Sequence, residues 1–392
     1  MAAPNRWLFP PGQESGCLER PLRLADGRAV WVRIGPMKVN EPGVLSVEVG
    51  VGDMGKGDKD VIQAQVRRML RLLPEDSAAV AAFQNMHPGA KAAGFGRLFR
   101  SPTLWEDMVK TQLLCNCGWG RTLSMNRALC QLQAEKNGPP LGCPPELSHL
   151  GNFPTAAELQ DFDPKALSKK CGLGYRATRL VSFAKGVATG VYDLGRLEGP
   201  GRFGSAAERL AAVRKMPGLG PFSAANVMQC LGEFEKVAAD SETARHLREV
   251  HRKDDCDASN LEEIVAKVYL PYAPYQFLAY WFEIWQEYEA LFGPLSRMSP
   301  DDYANITGRN MSNKDDGKTK KVPKKRAPKK TTTRKRVAVE VETVSEAGLS
   351  EAVSEVLTVE ETETLVTDRN GVGAPDTPMI VARRSMRKRG KV

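Results

Sequence analysis

Two glycines flanking one leucine, in Met216-Pro217-Gly218-Leu219-Gly220-Pro221-Phe222, constrain this chain more than any other feature. Ala206–Met216 before them and Ala224–Leu231 after them each read as a short helix. Glycine admits the left-handed backbone that a tight reversal needs, and an apolar Leu219 anchors such a reversal in a core. The turn leaves backbone N–H groups bare beside the N-terminus of the next helix. Gly218, Gly220 and Phe222 would then take an anionic oxygen with no help from a cationic side chain. A plain αα-turn without a ligand reads the same way from these residues alone.

The neighbouring segments are mostly helical. Asp60–Leu73 carries Val61, Val66, Met69, Leu70 and Leu73 on one stripe and reads as an amphipathic helix. Helix starts are marked at Ser101-Pro102 and Pro154-Thr155, and Leu167–Ala188 holds one or two helices interrupted by Gly172 and Gly174. Leu261–Val268 and Tyr275–Leu291 complete the set. Ahead of them, Ala29–Ile34 and Val44–Val51 alternate as strands of a small antiparallel sheet. No strand–helix–strand alternation supports a parallel sheet, so the expectation is an α+β chain, mainly helical. Its parts are an N-terminal sheet domain with a linking helix over 1–75, a helical domain over 76–296 and a disordered charged tail over 297–392.

The formal charge of +9 is unevenly spread. Residues 312–336 hold twelve Lys and Arg against two Asp, residues 337–366 hold eight Glu and no base, and residues 367–392 are basic again. That leaves +2 for residues 1–311, so a body that binds an anion must do so locally. The tail has no aromatic residue after Met311, a composition that cannot bury a core. Eight scattered cysteines read as reduced thiols rather than a disulfide framework. None of the four histidines has the spacing to a Cys pair that a zinc module needs. No apolar run approaches the roughly 18 residues that cross a bilayer, and no signal peptide is legible, so no membrane partner is expected.

Eighteen residues past Phe222, Val237-Ala238-Ala239 runs into Asp240-Ser241-Glu242-Thr243. Asp240 reads as a helix N-cap, which also suits a carboxylate held at the mouth of a pocket. The ordered set of the hairpin, Asp240, the Ser101–Lys110 stretch with Leu113-Leu114-Cys115-Asn116-Cys117, and Gly172-Leu173-Gly174-Tyr175-Arg176-Ala177 resembles the helix-hairpin-helix DNA glycosylase superfamily. The similarity spans roughly residues 60–295 and is nearest the 8-oxoguanine and 3-methyladenine glycosylase branches. It implies a two-lobed helix-hairpin-helix core and a base-excision repair enzyme that flips a damaged nucleotide out of the duplex and hydrolyses its N-glycosidic bond.

By this resemblance Asp240 is the catalytic carboxylate. Strand-cutting members carry a nucleophilic Lys two residues after the second hairpin glycine, where this chain has Phe222, and Lys215 lies on the other side of the turn. A monofunctional enzyme is implied. A non-catalytic helix-hairpin-helix DNA-binding protein, or a bifunctional glycosylase-lyase, is the alternative. Asn116 or Trp119 matches the wedge that fills the gap left by the flipped base, although Trp119 also reads as a buried corner aromatic. Tyr175 and Arg176 match residues that wedge into the duplex and contact the widowed cytosine. Cys117 stands where the 8-oxoguanine branch has Asn. Asn226 and Phe282 match base-pocket positions, and an aromatic stripe on the Tyr275–Leu291 helix reads equally as core. Arg245 and His246 either meet phosphates or lie on a solvated helix face.

Only Cys256 lies beyond Asp240, so no iron–sulfur cluster is expected. The hairpin leaves room for a structural monovalent cation, and no other metal is expected. Implied partners are double-stranded DNA with a damaged base, bound by a monomer. Lys320-Lys321-Val322-Pro323-Lys324-Lys325-Arg326 reads as a signal for the nuclear import machinery, hence a nuclear location, or as a DNA tether. The aromatic helix suits an alkylated base, while Tyr175, Arg176 and the N-terminal sheet suit oxidised guanine. The sequence chooses neither.

Overall fold

The structure, a computed structural model, describes residues 3–8, 16–36, 45–51, 54–199 and 201–307. Four strands, β1 (Arg6–Leu8), β2 (Cys17–Arg23), β3 (Ala29–Pro36) and β4 (Leu45–Val49), form an antiparallel meander in chain order. Leu18 pairs with Ile34 and Leu22 with Val30, so the alternation of β2 and β3 stays in phase. Leu18, Leu22, Val30, Val32, Ile34 and Val47 pack with Ile62, Val66 and Met69 of α1 (Asp58–Leu70). Trp31, one residue out of that alternation, packs into the main helical core instead.

Helices α2 (Pro74–Met86), α3 (Pro88–Ala92), α4 (Leu104–Leu114), α5 (Trp119–Asn137), α6 (Ala156–Leu159), α7 (Pro164–Cys171), α8 (Arg176–Ala188) and α9 (Ala206–Arg214) follow. After them come α10 (Pro221–Cys230), α11 (Ser241–Glu249), α12 (Leu261–Tyr269) and α13 (Gln276–Phe292). Caps account for several starts. Thr155 with Glu158 opens α6, and Ser205 with Glu208 opens α9, each as a reciprocal capping box. The chain is thus mainly helical with a small antiparallel sheet, as expected. None of the described helices is long and apolar enough to cross a membrane.

The helices form two apolar clusters. One joins α4 through α9 with Ala224, Val227 and Met228 of α10. The other joins Phe83, Phe234 and residues of α11, α12 and α13 with Ala225 of the same α10. Helix α10 is therefore shared by both lobes, and its N-terminal end carries the hairpin.

The body does not stop at residue 296. Two helical turns, Leu295–Arg297 and Pro300–Asn305, follow α13, and Tyr303 is buried. The Trp119 indole N–H donates to the Tyr303 carbonyl at 2.8 Å, which holds this segment to the start of α5. Residues 297–307, read as tail, belong to the folded part. The basic cluster at 320–326 and the acidic stretch lie outside the described residues.

Candidate nucleic-acid interface and catalytic carboxylate

The hairpin takes the shape its glycines allow. Gly218 is left-handed at φ +83°, Leu219 is buried and Gly220 is the N-cap of α10. From α4, the Gln112 side-chain amide donates to the Pro217 carbonyl at 3.1 Å. A second tie joins the buried Ser223 hydroxyl to the Cys115 thiol at 2.8 Å. The hairpin is thereby fastened to the α4–α5 loop, which sequence spacing does not reveal. Gly220 and Pro221 are exposed, so the turn's backbone faces solvent.

Asp240 caps α11. Its Oδ1 accepts from the Glu242 and Thr243 N–H groups at 2.9 and 3.1 Å, while the Asp240 N–H donates to Thr243 Oγ1 at 3.2 Å. The Thr243 hydroxyl hydrogen-bonds the buried Tyr280 hydroxyl at 3.0 Å, so the cap is braced from α13. Oδ2 has no hydrogen-bond partner among the described residues, and Asp240 is exposed. One oxygen holds the helix and the other takes no part in the cap. Phe222, at the start of α10, and Ala239, beside Asp240, pack on the same apolar cluster, which brings the hairpin helix and the carboxylate to one region.

Asn116 and Tyr175 also come together. Asn116 is exposed with a left-handed φ of +49°, uncommon for a non-glycine residue, and its amide reaches the Tyr175 hydroxyl at 3.4 Å. Tyr175 is 49% exposed, with the Arg176 and Arg179 guanidinium groups 4.7 and 5.0 Å from its ring centre. Tyr175 thus presents an exposed ring with two guanidinium groups near it, beside a loop residue at positive φ. Arg179 escaped the sequence reading because nothing marks it until α8 is wound. The turn before α8 repeats the Gly-Leu-Gly sequence of the hairpin but with both glycines left-handed, Gly172 and Gly174, flanking Leu173, which is buried in the same cluster as Leu219.

Several expected contacts are corrected. Arg176 is buried and spends its guanidinium on the Cys115 and Asn116 carbonyls, so it shapes the loop rather than reading a base. Cys117 is turned inward, its thiol on the Leu113 carbonyl and the Thr122 hydroxyl. Trp119 is half-buried and its indole is tied to the Tyr303 carbonyl, whereas Asn116 is exposed. Asn226 donates to the Phe222 carbonyl one turn back at 3.1 Å. Phe282 is core, its ring 4.9 Å from that of His87 and 5.3 Å from that of Phe95.

Arg245 and His246 do not lie on a solvated helix face but are buried against carboxylates. Arg245 is buried among Glu242, Glu249 and Glu287 at 2.7, 2.5 and 3.1 Å. His246 is fully buried between Glu283 and Glu287. Burial opposes the charge on its ring, but the hydrogen bonds to the two carboxylates outweigh this and raise its pKa. Burial likewise opposes the charge on Glu283, yet hydrogen bonds from His246, His251 and Tyr269 bring its pKa down to about 2.

No protein-family model matches the chain, and no curated protein matches it. Solved structures similar to it include the Clostridium acetobutylicum 8-oxoguanine glycosylase/lyase in complex with double-stranded DNA containing cytosine opposite 8-oxoguanine. That pair is 14% identical over 72% of this chain and 97% of the other, with a TM-score of 0.48. MBOgg1, in complex with a low-affinity DNA ligand, is 17% identical over 70% of this chain and 98% of its own, with a TM-score of 0.47. The DNA-3-methyladenine glycosidase of Bacillus halodurans is 14% identical over 56% and 87%, with a TM-score of 0.37.

Proposed function

We propose that this protein is a DNA base-excision glycosylase that hydrolyses the bond between a damaged base and its sugar without cutting the strand. The observation that carries the reading is Asp240, whose Oδ1 is committed to the helix cap while Oδ2 is exposed and unpartnered. As the C1′–N bond breaks, its electron pair leaves with the base and positive charge grows on the sugar. An anionic oxygen beside C1′ stabilises that charge. It also orients a water, whose oxygen bonds to C1′ while its proton passes to the carboxylate and on to solvent. The Gly218–Gly220 turn would hold a backbone phosphate through its amides, and a monovalent cation is proposed at its carbonyls. Asn116 would enter the vacated stack, with Tyr175 and Arg179 along the strand.

Phe222 occupies the place of the family's amine nucleophile, and Lys215 sits at the far end of α9, before the turn. No Schiff base can form at Phe222, which supports water as the nucleophile. A second reading, a DNA-binding protein without catalysis, is favoured by Phe282 lying packed under His87 and Phe95 rather than lining an open slot. The basic cluster at 320–326 supports a nuclear location and import through that tail.

A single-turnover assay of the full chain and its Asp240→Asn variant decides between them. Duplexes with 8-oxoguanine, an alkylated adenine, uracil or an abasic site are followed with and without alkali. Cleavage that needs alkali and is lost in the variant is the expected result. Strand breaks without alkali, trapped by borohydride, would overturn the monofunctional assignment. Tight binding with no cleavage of any duplex would make the chain a binder.

A further inference from the structure

At the opposite end of α11 from Asp240, four side chains from separate segments converge. His246 lies on α11, His251 just beyond it, Tyr269 closes α12 and Glu283 lies on α13. Glu283 Oε2 is 2.9 Å from His246 Nε2, 2.8 Å from His251 Nε2 and 2.6 Å from the Tyr269 hydroxyl. That hydroxyl is in turn 3.1 Å from His246 Nε2 and 3.3 Å from His251 Nε2. The ligand atoms of both imidazoles and the carboxylate all lie within 4.8 Å of one another.

These contacts make a network larger than one ion pair. Three groups aim at one carboxylate oxygen, and a carboxylate oxygen has two lone pairs in its plane. The remaining nitrogen of His246, Nδ1, stands 2.5 Å from Glu287 Oε2. A carboxylate on the outer nitrogen fixes the tautomer that turns the other nitrogen's lone pair toward a metal. Access is available too. His246 is sealed in, whereas the His251 and Glu283 side chains are each 23% exposed.

We propose that His246, His251 and Glu283 bind a first-row divalent transition metal, zinc foremost, with the Tyr269 hydroxyl alongside as a fourth oxygen. Two imidazoles and one carboxylate are the donor set such an ion takes. The two imidazole–carboxylate separations, 2.9 and 2.8 Å, would widen by about half an ångström to reach the roughly 3.3 Å edge of a tetrahedron with bonds of about 2.0–2.1 Å, and the Tyr269 hydroxyl, at 2.6 Å from the carboxylate, by somewhat more. Binding replaces any proton on His246 Nε2, which leaves to solvent, while Nδ1–H continues to donate to Glu287. The ion would join α11, α12 and α13 at one point. Six residues of helix, about 9 Å at 1.5 Å each, separate it from Asp240, so its part is to hold that helix and not to touch a sugar.

The inference stands apart from the glycosylase reading, because its readout is metal content. Untagged full-length protein is analysed for bound metals, stripped with a chelator and titrated with zinc, then with cobalt as a spectroscopic probe. The expected result is one equivalent per chain and a melting temperature that rises with zinc. Cobalt should show weak d–d bands without the thiolate charge-transfer bands that cysteine ligation gives. His251→Gln, at one of the two part-exposed ligands, and Glu287→Gln, which meets His246 only at its outer nitrogen, should each weaken binding by about 10–100-fold while circular dichroism stays native. No uptake and an unchanged melting temperature would overturn the site. So would thiolate bands, or undiminished binding in folded His251→Gln.

Discussion

On the proposed reading the two oxygens of Asp240 have separable duties, a cap and a catalytic charge, and substitution can part them. Asn keeps the acceptor that caps α11 but removes the charge. Asp240→Asn should therefore melt close to the parent while single-turnover base excision falls by about 10²–10⁴-fold. Asp240→Ala should lose the activity and also about 0.5–2 kcal/mol of stability, read by denaturant unfolding. Equal destabilisation by both, with activity retained by Asn, would reduce Asp240 to a cap. The cap was legible in the sequence because Asp at the end of an apolar run ahead of a helix is a strong N-cap signal. Arg245 and His246 were not, since their carboxylate partner Glu287 lies about forty residues away on α13 and only the packed helices bring it near. The histidine cluster escaped for the same reason: its donors come from α11, the turn after it, α12 and α13, with no local spacing to announce them.

At the scale of elements, the two glycines of the hairpin do different work. A Cβ on Gly218 would lie 2.9 Å from Gln112 Oε1 and would sit at a left-handed φ, whereas one on Gly220 meets nothing within 4 Å. Gly218→Ala should cost about 1–2 kcal/mol of stability. Gly220→Ala should leave the melting temperature alone and weaken DNA binding, because its methyl group stands where a phosphate would approach. Unchanged binding in folded Gly220→Ala would remove the hairpin from the interface. A second element-level tie is the wholly buried Arg20 of β2, whose guanidinium pairs with Glu106 of α4 at 2.9 Å and docks the sheet on the helical core. Burial opposes the charge on Glu106, but Arg20 and Lys110 override it and bring its pKa to about 2. That carboxylate is therefore more acidic folded than unfolded. Its stabilisation is present above about pH 4.5 and fades as pH falls toward 2. Arg20→Met should destabilise by up to roughly 3–5 kcal/mol at pH 7, and by less at pH 3, where the stranded carboxyl can take a proton. The sheet and most helices were readable from alternation, caps and glycines. The clamps between them, Arg20 on Glu106 and Gln112 on Pro217, were not, because a polar residue in a sequence does not say what it faces.

For the whole molecule, the proposed function asks how a body with little net charge would hold a polyanion. Residues 1–311 carry +2, and residues 312–336 carry twelve bases against two acids. The body offers few groups, all directed: a hairpin of backbone amides, and Tyr175 between Arg176 and Arg179, of which Arg176 is already spent on carbonyls. Such a body should place DNA accurately and hold it weakly, while the basic tail supplies unspecific attraction. Ending the chain at residue 307 should then leave single-turnover excision at saturating protein unchanged. The same truncation should weaken binding to undamaged duplex and flatten its dependence on salt, by about 0.9 in the log–log slope for each phosphate that the tail no longer neutralises. Binding measured by anisotropy between about 50 and 200 mM salt reads both quantities. An identical slope in the truncated chain would mean that the folded lobes alone neutralise the phosphates and that the eight glutamates of 337–366 already offset the tail's bases. Deleting residues 337–366 alone separates that case, since freeing the bases from the glutamates should steepen the slope above that of the full chain.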